Sequence, residues 1–391
     1  MAKEETRGVK AGSERGSYNW TESALNKKFE EYACNKLKDI EETWVQFKDV
    51  IIDIKTGRQF KATSEYFVTN PIPWKLGDNE DTPIIDKLFR DWVTSKEEGD
   101  KWVQTLYEMF AYSLLAGYPI GVCFSLLGEG RNGKTTCINL IEKFLGENNV
   151  TSADLRRLTT ERFESWMLYK KLVCNIGEVE FNVLKNTGTF KRLTGQDTMK
   201  FEAKGKDGII GKNYAKLIIA ANTLPESYDK SEGFYRRWIT IDFPNKFEEK
   251  SEFLKIVPDK EFENLCRKSV RLLKELLERG KFTNQGDVAE RQRRYEERSN
   301  PFGMFLKECC VTGIDKEVPF WELYNVYVDY LEQRNLRKQS KIEFGKTVRN
   351  KGFIVSTPIP IGKINEKGKQ ISWSFIAGVD LKEDYKKGEV G

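Results

Sequence analysis

Apolar positions recur at three- and four-residue steps from Ser23 to Lys48, where Phe29, Ala33, Leu37, Ile40, Trp44 and Phe47 mark one face; this spacing predicts an amphipathic helix. The rhythm then changes. Val50 to Ile54, the turn Lys55-Thr56-Gly57, and the stretch from Phe60 to Val68 read as two strands around a glycine. Pro71 and Pro73 close that unit, and helical spacing returns from Ile84 to Leu115, so the N-terminal region is expected to be mainly helical. Met109 to Gly128 is uncharged over a length that could span a bilayer, but Pro119 with Gly117 and Gly121 interrupts it. The run is expected to be a buried helix ending near Ala116 and a buried strand from Val122 to Leu127.

The centre of the chain alternates short apolar runs with helical patterns, which is the signature of parallel strands joined by crossover helices. Candidate strands are Val122 to Leu127, Leu172 to Ile176, Leu217 to Ala221 and Trp238 to Phe243. A helix from Glu261 to Arg279 stops at Gly280, a C-cap residue, and a charged helix from Val288 to Arg298 leads to Asn300-Pro301. Beyond it, helices over Phe302 to Cys310, Phe320 to Arg334 and Lys341 to Lys351, then Phe353 to Ser356 and Ile371 to Ile376 as a hairpin, suggest a winged helix. The expected class is α/β, divided as a flexible arm 1–20, a mainly helical N-terminal domain 21–105 serving as an oligomerisation collar, a core 106–285, a winged-helix-like domain 286–382 and a flexible tail 383–391.

A length of 391 residues allows such cores without disulfide or metal staples. With 32% charged residues and a net charge of +5 the surface is mixed, so any charge that holds nucleic acid must be local. Cys34, Cys123, Cys137, Cys174, Cys266, Cys309 and Cys310 are odd in number and form no CxxC pair, which argues against a zinc ribbon or disulfide framework and for reduced intracellular thiols. The complete absence of His removes Ser-His-Asp hydrolysis, His-ligated zinc and imidazole proton relays. Chemistry must run on carboxylates, Lys, Arg and hydroxyls. Met1 to Tyr18 is polar and lacks the apolar centre of a signal peptide, so the expected location is the cytoplasm, that of the host cell if the source is viral.

Gly128-Glu129-Gly130-Arg131-Asn132-Gly133-Lys134-Thr135 fits GxxxxGK[ST] between an apolar strand and a helix, the context in which this motif cradles phosphates. The glycines let backbone N–H groups face the phosphates, and the helix from Lys134 aims its positive end at them. Lys134 is expected on the β- and γ-phosphates and the Thr135 hydroxyl on Mg²⁺. Lys171 to Glu178 is a strand ending in a carboxylate, and Glu178 is the candidate both for orienting water and for holding Mg²⁺. Glu180 is either a second carboxylate or a solvated surface glutamate. A third strand ends in Asn222-Thr223-Leu224-Pro225, which would put Asn222 beside the γ-phosphate. Arg236 and Arg237, ahead of the fourth strand, suit an arginine finger reaching a neighbour's ATP, the plain alternative being a surface salt bridge.

Residues 128–136, ending in Thr135-Thr136, together with Lys191-Arg192-Leu193-Thr194-Gly195-Gln196-Asp197, Ala221 to Pro225, and Arg236-Arg237 before Phe243-Pro244, resemble the superfamily 3 helicases, in the phage, plasmid and poxvirus primase-helicase branch. The resemblance covers roughly residues 50–380. It implies a AAA+-type P-loop ATPase that uses ATP and Mg²⁺, assembles as a ring, usually a hexamer, and translocates 3′ to 5′ on single-stranded and fork DNA. It implies a primase or polymerase domain in cis or in trans and no membrane. It also implies a hairpin entering the ring's channel, with strands Thr198 to Glu202 and Ile209 to Tyr214, and with Lys204 and Lys206 at its tip placed to hold DNA phosphates; a Lys/Gly turn is otherwise common in soluble hairpins. One departure is Gly177, where many members carry an acidic residue. Two other functions fit the same residues: an origin-binding initiator in which nucleotide switches assembly without unwinding, and a P-loop motor or kinase acting on another substrate.

Overall fold

The computed structural model describes residues 42–63, 66, 68–93, 99–177, 183–205, 207–248, 256–334, 336–364 and 370–386. The expected arm, the tail from 387 on and most of the helix expected over Ser23 to Lys48 lie outside the described residues. The C-terminal end of that expected helix is a strand instead. β1 (Trp44–Gln46) pairs antiparallel with β2 (Val50–Asp53), which pairs with β3 (Gln59–Lys61). Ladder partners Ile51 and Ile52, and an edge-to-face contact of Trp44 with Phe60 at 4.7 Å, outweigh a helical spacing that only three residues continue.

Helices α1 (Pro83–Val93) and α2 (Gly99–Ser113) follow. The expected division at 105/106 falls inside α2, and the buried faces of both helices share one core with the central strands, so this stretch is a layer on the sheet and not a separate helical domain. The sheet comprises β4 (Cys123–Leu127), β5 (Val150–Ala153), β6 (Val173–Ile176), β9 (Lys216–Ala221) and β10 (Trp238–Asp242), all parallel in the order β10-β4-β9-β6-β5. Between them run α3 (Lys134–Leu145), α4 (Leu155–Thr160), α5 (Thr187–Leu193), the hairpin β7 (Thr198–Phe201) and β8 (Ile209–Lys212), and the short α6 (Glu232–Tyr235). Alternation sorts the strand residues onto two faces. Phe124 and Leu126 of β4 meet the core shared with α1, α2, α3 and α7 (Asp259–Arg279), whereas Cys123 and Leu127 meet a second core with Phe190, Phe201 and Trp238. β5 was not expected; it is an edge strand of sequence Val-Thr-Ser-Ala with one fully buried residue, too polar to register as an apolar run.

Two buried carboxylates tie the helical layer to itself. Glu261 of α7 accepts from the N–H groups of Ile84 and Ile85 at 3.1 Å, satisfying the open start of α1. Glu108 of α2 receives Arg279 at 2.6 Å and the Thr283 N–H at 2.7 Å.

α8 (Val288–Ser299) leads into a unit with its own core: α9 (Pro301–Cys309), β11 (Cys310–Pro319), α10 (Phe320–Gln333), α11 (Lys341–Asn350), β12 (Ile354–Val355), β13 (Ile359–Ile364), β14 (Gln370–Trp373) and β15 (Phe375–Leu381). The strands differ from expectation. β12 and β11 both pair with β15, in the order β11-β15-β12, and the hairpin is β13 with β14. β11 was hidden because half of its residues face solvent and a register shift between Thr312 and Glu317 breaks its alternation. No helix among the described residues is long and apolar enough to cross a membrane.

Candidate phosphate-loop site

β4 ends at Leu127 and α3 begins at Lys134, so the six residues between them form a loop at the carboxyl end of a central strand, where open α/β sheets bind ligands. No side chain caps α3, and its first N–H groups are left to face an anion. Gly133 has φ +91°, and a Cβ there would run into the Trp92 ring. Gly128 is confined by Asn132 and the Phe243 carbonyl. The segment after β10 braces the loop: Asn132 Nδ2 donates to Phe243 O at 3.1 Å, the Phe247 N–H to Arg131 O at 2.8 Å, and Lys246 pairs with Glu129 at 2.5 Å.

Lys134 is buried and folded back on this loop. Its Nζ donates to Gly128 O at 2.5 Å, Asn132 Oδ1 at 3.0 Å, Glu129 O at 3.3 Å and Asn222 Oδ1 at 3.5 Å. Asn222, 88 residues on and directly after β9, is thereby brought to the loop. The turn after it is fastened to α8: the Leu224 N–H donates to Arg298 O at 3.2 Å and the Tyr295 hydroxyl to Pro225 O at 2.6 Å. Arg298 in turn pairs with Asp242 at 2.7 Å and donates to Arg334 O, joining this corner to the C-terminal unit.

A cleft of about 1200 Å³ opens beside the loop, lined by residues 130–136, by Asn222 and Gly177, and by Ser152, Asp154, Glu164 and Asn175, with Trp92 and Phe247 among its apolar walls. Thr135 and Thr136 both line it. Glu178 and Glu180 lie outside the described residues. Three cleft groups escaped the sequence reading. Asp154 sits on the unrecognised β5 edge as the N-cap of α4, Glu164 follows it in a short 3-10 turn, and Asn175 is two residues before Gly177 inside β6. Alternation along β6 was the available signal for Asn175, since it shares a face with Val173 and Gly177.

The two arginines part company. Both lie before β10, at the amino end of the sheet, roughly 15 Å of strand from the phosphate loop. Arg237 is buried; its Nε donates to Thr194 Oγ1 at 2.9 Å, and its terminal nitrogens donate to the carbonyls of Gly233 and Lys191. Burial, then the neighbouring Arg236, lowers its pKa below the usual arginine value. It is a strut holding the end of α5. Arg236 is exposed.

The β7–β8 hairpin stands at the same pole. Asn213 at its root donates to Leu193 O and Ala215 O, Phe201 is buried, and Gly205 with φ +75° turns the tip beside the exposed Lys204. Lys206 lies outside the described residues. Arg162 grips Glu202 through two bonds of 2.7 Å and Lys200 adds a third contact at 2.8 Å; together they hold the Glu202 carboxyl down to about 2. The segment 154–168 therefore lines the cleft at one end and holds the hairpin through Arg162.

A family model described as "Family of unknown function (DUF5906)" matches residues 126–237, from the end of β4 to the start of β10. A protein of Acanthamoeba polyphaga mimivirus named "Putative helicase L207/L206" is 32% identical over 139 residues, which is 34% of this chain and 14% of that protein. Among solved structures, two of the NrS-1 C-terminal region resemble the chain at TM-scores of 0.41 and 0.42, with 14% and 15% identity, covering 92% and 88% of this chain and 90% and 84% of those. The chain is thus an α/β protein with a five-stranded parallel sheet, similar over about a third of its length to a viral protein named as a helicase.

Proposed function

We propose that this chain is an ATP-dependent DNA helicase of viral or plasmid replication, of the superfamily 3 type, working as a ring, with a hexamer expected, and moving 3′ to 5′ on single-stranded DNA. The observation that carries it is the lysine of the phosphate loop held on loop carbonyls and on Asn222, at an uncapped helix start that opens on a nucleotide-sized cleft. The mimivirus relative supports the helicase reading over the more general P-loop one.

When ATP enters, its phosphates replace the Gly128 and Glu129 carbonyls as partners of Lys134, and the loop N–H groups take the remaining oxygens. The cleft fits Mg²⁺. Its donors are hydroxyl and carboxylate oxygens, from Thr135, Asp154 and Glu164, and among the described residues no cluster of three acidic side chains forms a full cage. That suits a cation that keeps waters and shares phosphate oxygens; bound there, it would neutralise charge on the leaving phosphate. Glu178 orients the attacking water, Asn222 senses the γ-phosphate, and Arg236 is supplied across the subunit interface. Lys204 and Lys206 track the DNA backbone. The C-terminal unit, three helices with a three-stranded sheet and an added hairpin, is winged-helix-like, and α11 presents exposed Lys341, Lys346 and Arg349, the surface that would favour an origin-binding initiator.

Strand displacement with Mg²⁺-ATP on partial duplexes carrying a 3′ or a 5′ tail tests the reading, with Lys134→Ala as control. Unwinding of the 3′-tailed substrate alone, lost in the variant, is expected. ATP turnover by a stable ring with no unwinding of either would favour the assembly-switch alternative. Replacing Lys204 and Lys206 together by Ala should abolish unwinding and leave basal turnover intact; loss of both would sink the hairpin assignment.

A further inference from the structure

We propose that Asn175 is a positioning residue for the metal–nucleotide complex, its amide oxygen holding a metal-bound water where the side chain of residue 177 is missing. The inference rests on the nucleotide reading above and names a part of it that no motif marks. Asn175 is 6% exposed, and its Oδ1 is buried without a hydrogen-bond partner among the described residues. A buried amide oxygen left in this way is costly, and native folds keep such atoms where a water, ion or ligand completes them.

Position argues that the missing partner comes from the cleft. Asn175 lines it, on the strand face shared with Val173 and with Gly177 two residues on. Its ladder neighbours offer no replacement: Ile218 on β9 is apolar, and Ser152 on β5 lines the same cleft and makes no bond to it. Gly177 stands at the mouth of the strand, and a Cβ placed there would meet nothing within 4 Å among the described residues. The cleft therefore has open space where a carboxylate would be, and directly below it an acceptor that lacks a donor. A cation that retains part of its water shell supplies such donors, and an acceptor outside the direct ligands orients them.

The test is nucleotide affinity of the full chain, read with a fluorescent non-hydrolysable ATP analogue in Mg²⁺ and again in EDTA. In Asn175→Ala the tightening brought by Mg²⁺ should fall about tenfold, as for other outer-shell metal partners, while affinity in EDTA stays unchanged. Asn175→Asp keeps an acceptor oxygen in place and should retain the Mg²⁺ effect. Adding Gly177→Asp to Asn175→Ala should restore it, since the open space admits the carboxylate; this pair also separates a lost ligand contact from a damaged fold. An unchanged Mg²⁺ effect in Asn175→Ala, with nucleotide still bound, would overturn the assignment and leave Oδ1 to a structural water. Absence of nucleotide binding by the wild-type chain would overturn the phosphate-loop reading itself, and this inference with it.

Discussion

The two ends of the parallel sheet treat their polar groups in opposite ways. At the carboxyl end, Lys134 rests on carbonyls of a glycine-rich loop, α3 starts without a cap, and Asn175 has an oxygen with no partner among the described residues. At the amino end Arg237 holds Thr194 and two carbonyls, Asn213 holds Leu193 and Ala215, and the fully buried Lys216 donates to Leu115 O between the rings of Tyr112 and Tyr118, whereas Trp238 Nε1 and Arg291 Nε have no partner among the described residues. Unpaired buried polar groups are expensive, and one that borders an open cleft, as Asn175 Oδ1 does, is placed for a ligand to complete it. The other end is a platform, on which Arg236 and the hairpin tip project outward.

The largest effects should come from breaking the receptive end and the one projecting arginine. Lys134→Ala and Arg236→Ala should each lower ATP turnover by about a thousandfold, through loss of transition-state charge stabilisation. Nucleotide binding separates them in a titration, because only Lys134→Ala should weaken it; equal weakening in Arg236→Ala would argue against a role in trans. Next in size is the strut. Arg237→Ala should cost about 2–4 kcal/mol in denaturant unfolding by stranding its acceptors, whereas Arg236→Ala should stay within about 0.5 kcal/mol. Normal stability of Arg237→Ala with selectively lost turnover would return the finger role to it.

The smallest effect tests the platform's buried lysine. Burial holds the Lys216 pKa well below its usual value. The unfolded chain then binds a proton there that the folded chain gives up, so stability rises with pH from the depressed folded value up to about 10.4. Lys216→Met should remove that rise and add about 1 kcal/mol or more near neutral pH, as replacing a buried charge by an apolar side chain often does. Thermal melts of both proteins across this pH range would show it; parallel curves would mean that Lys216 is not the group responsible.

Much of this was legible in one dimension. The strand before Gly128, the helix after Gly133 and the turn at Asn222 follow from apolar runs and from residue types with few alternatives in backbone conformation or phosphate chemistry. β5 and β11 were not, because an edge strand with one buried residue or a bulged, solvent-facing strand carries no periodic signal. Trp44 was misread for a related reason: three residues cannot distinguish a fading helix from a strand that pairs with β2.

What the sequence by itself determined is the chemistry available: no imidazole, a GxxxxGK[ST] loop with its lysine and threonine, and a glycine at position 177 after a buried strand. Only the tertiary structure decided which residues share a place. It set Asn222 against Lys134 across 88 residues, turned Arg237 inward while leaving Arg236 outside, and left Asn175 facing the cleft without a partner. The reason is physical. Local sequence specifies backbone preference and side-chain type, but burial and hydrogen-bond satisfaction are set by groups that arrive from distant parts of the chain.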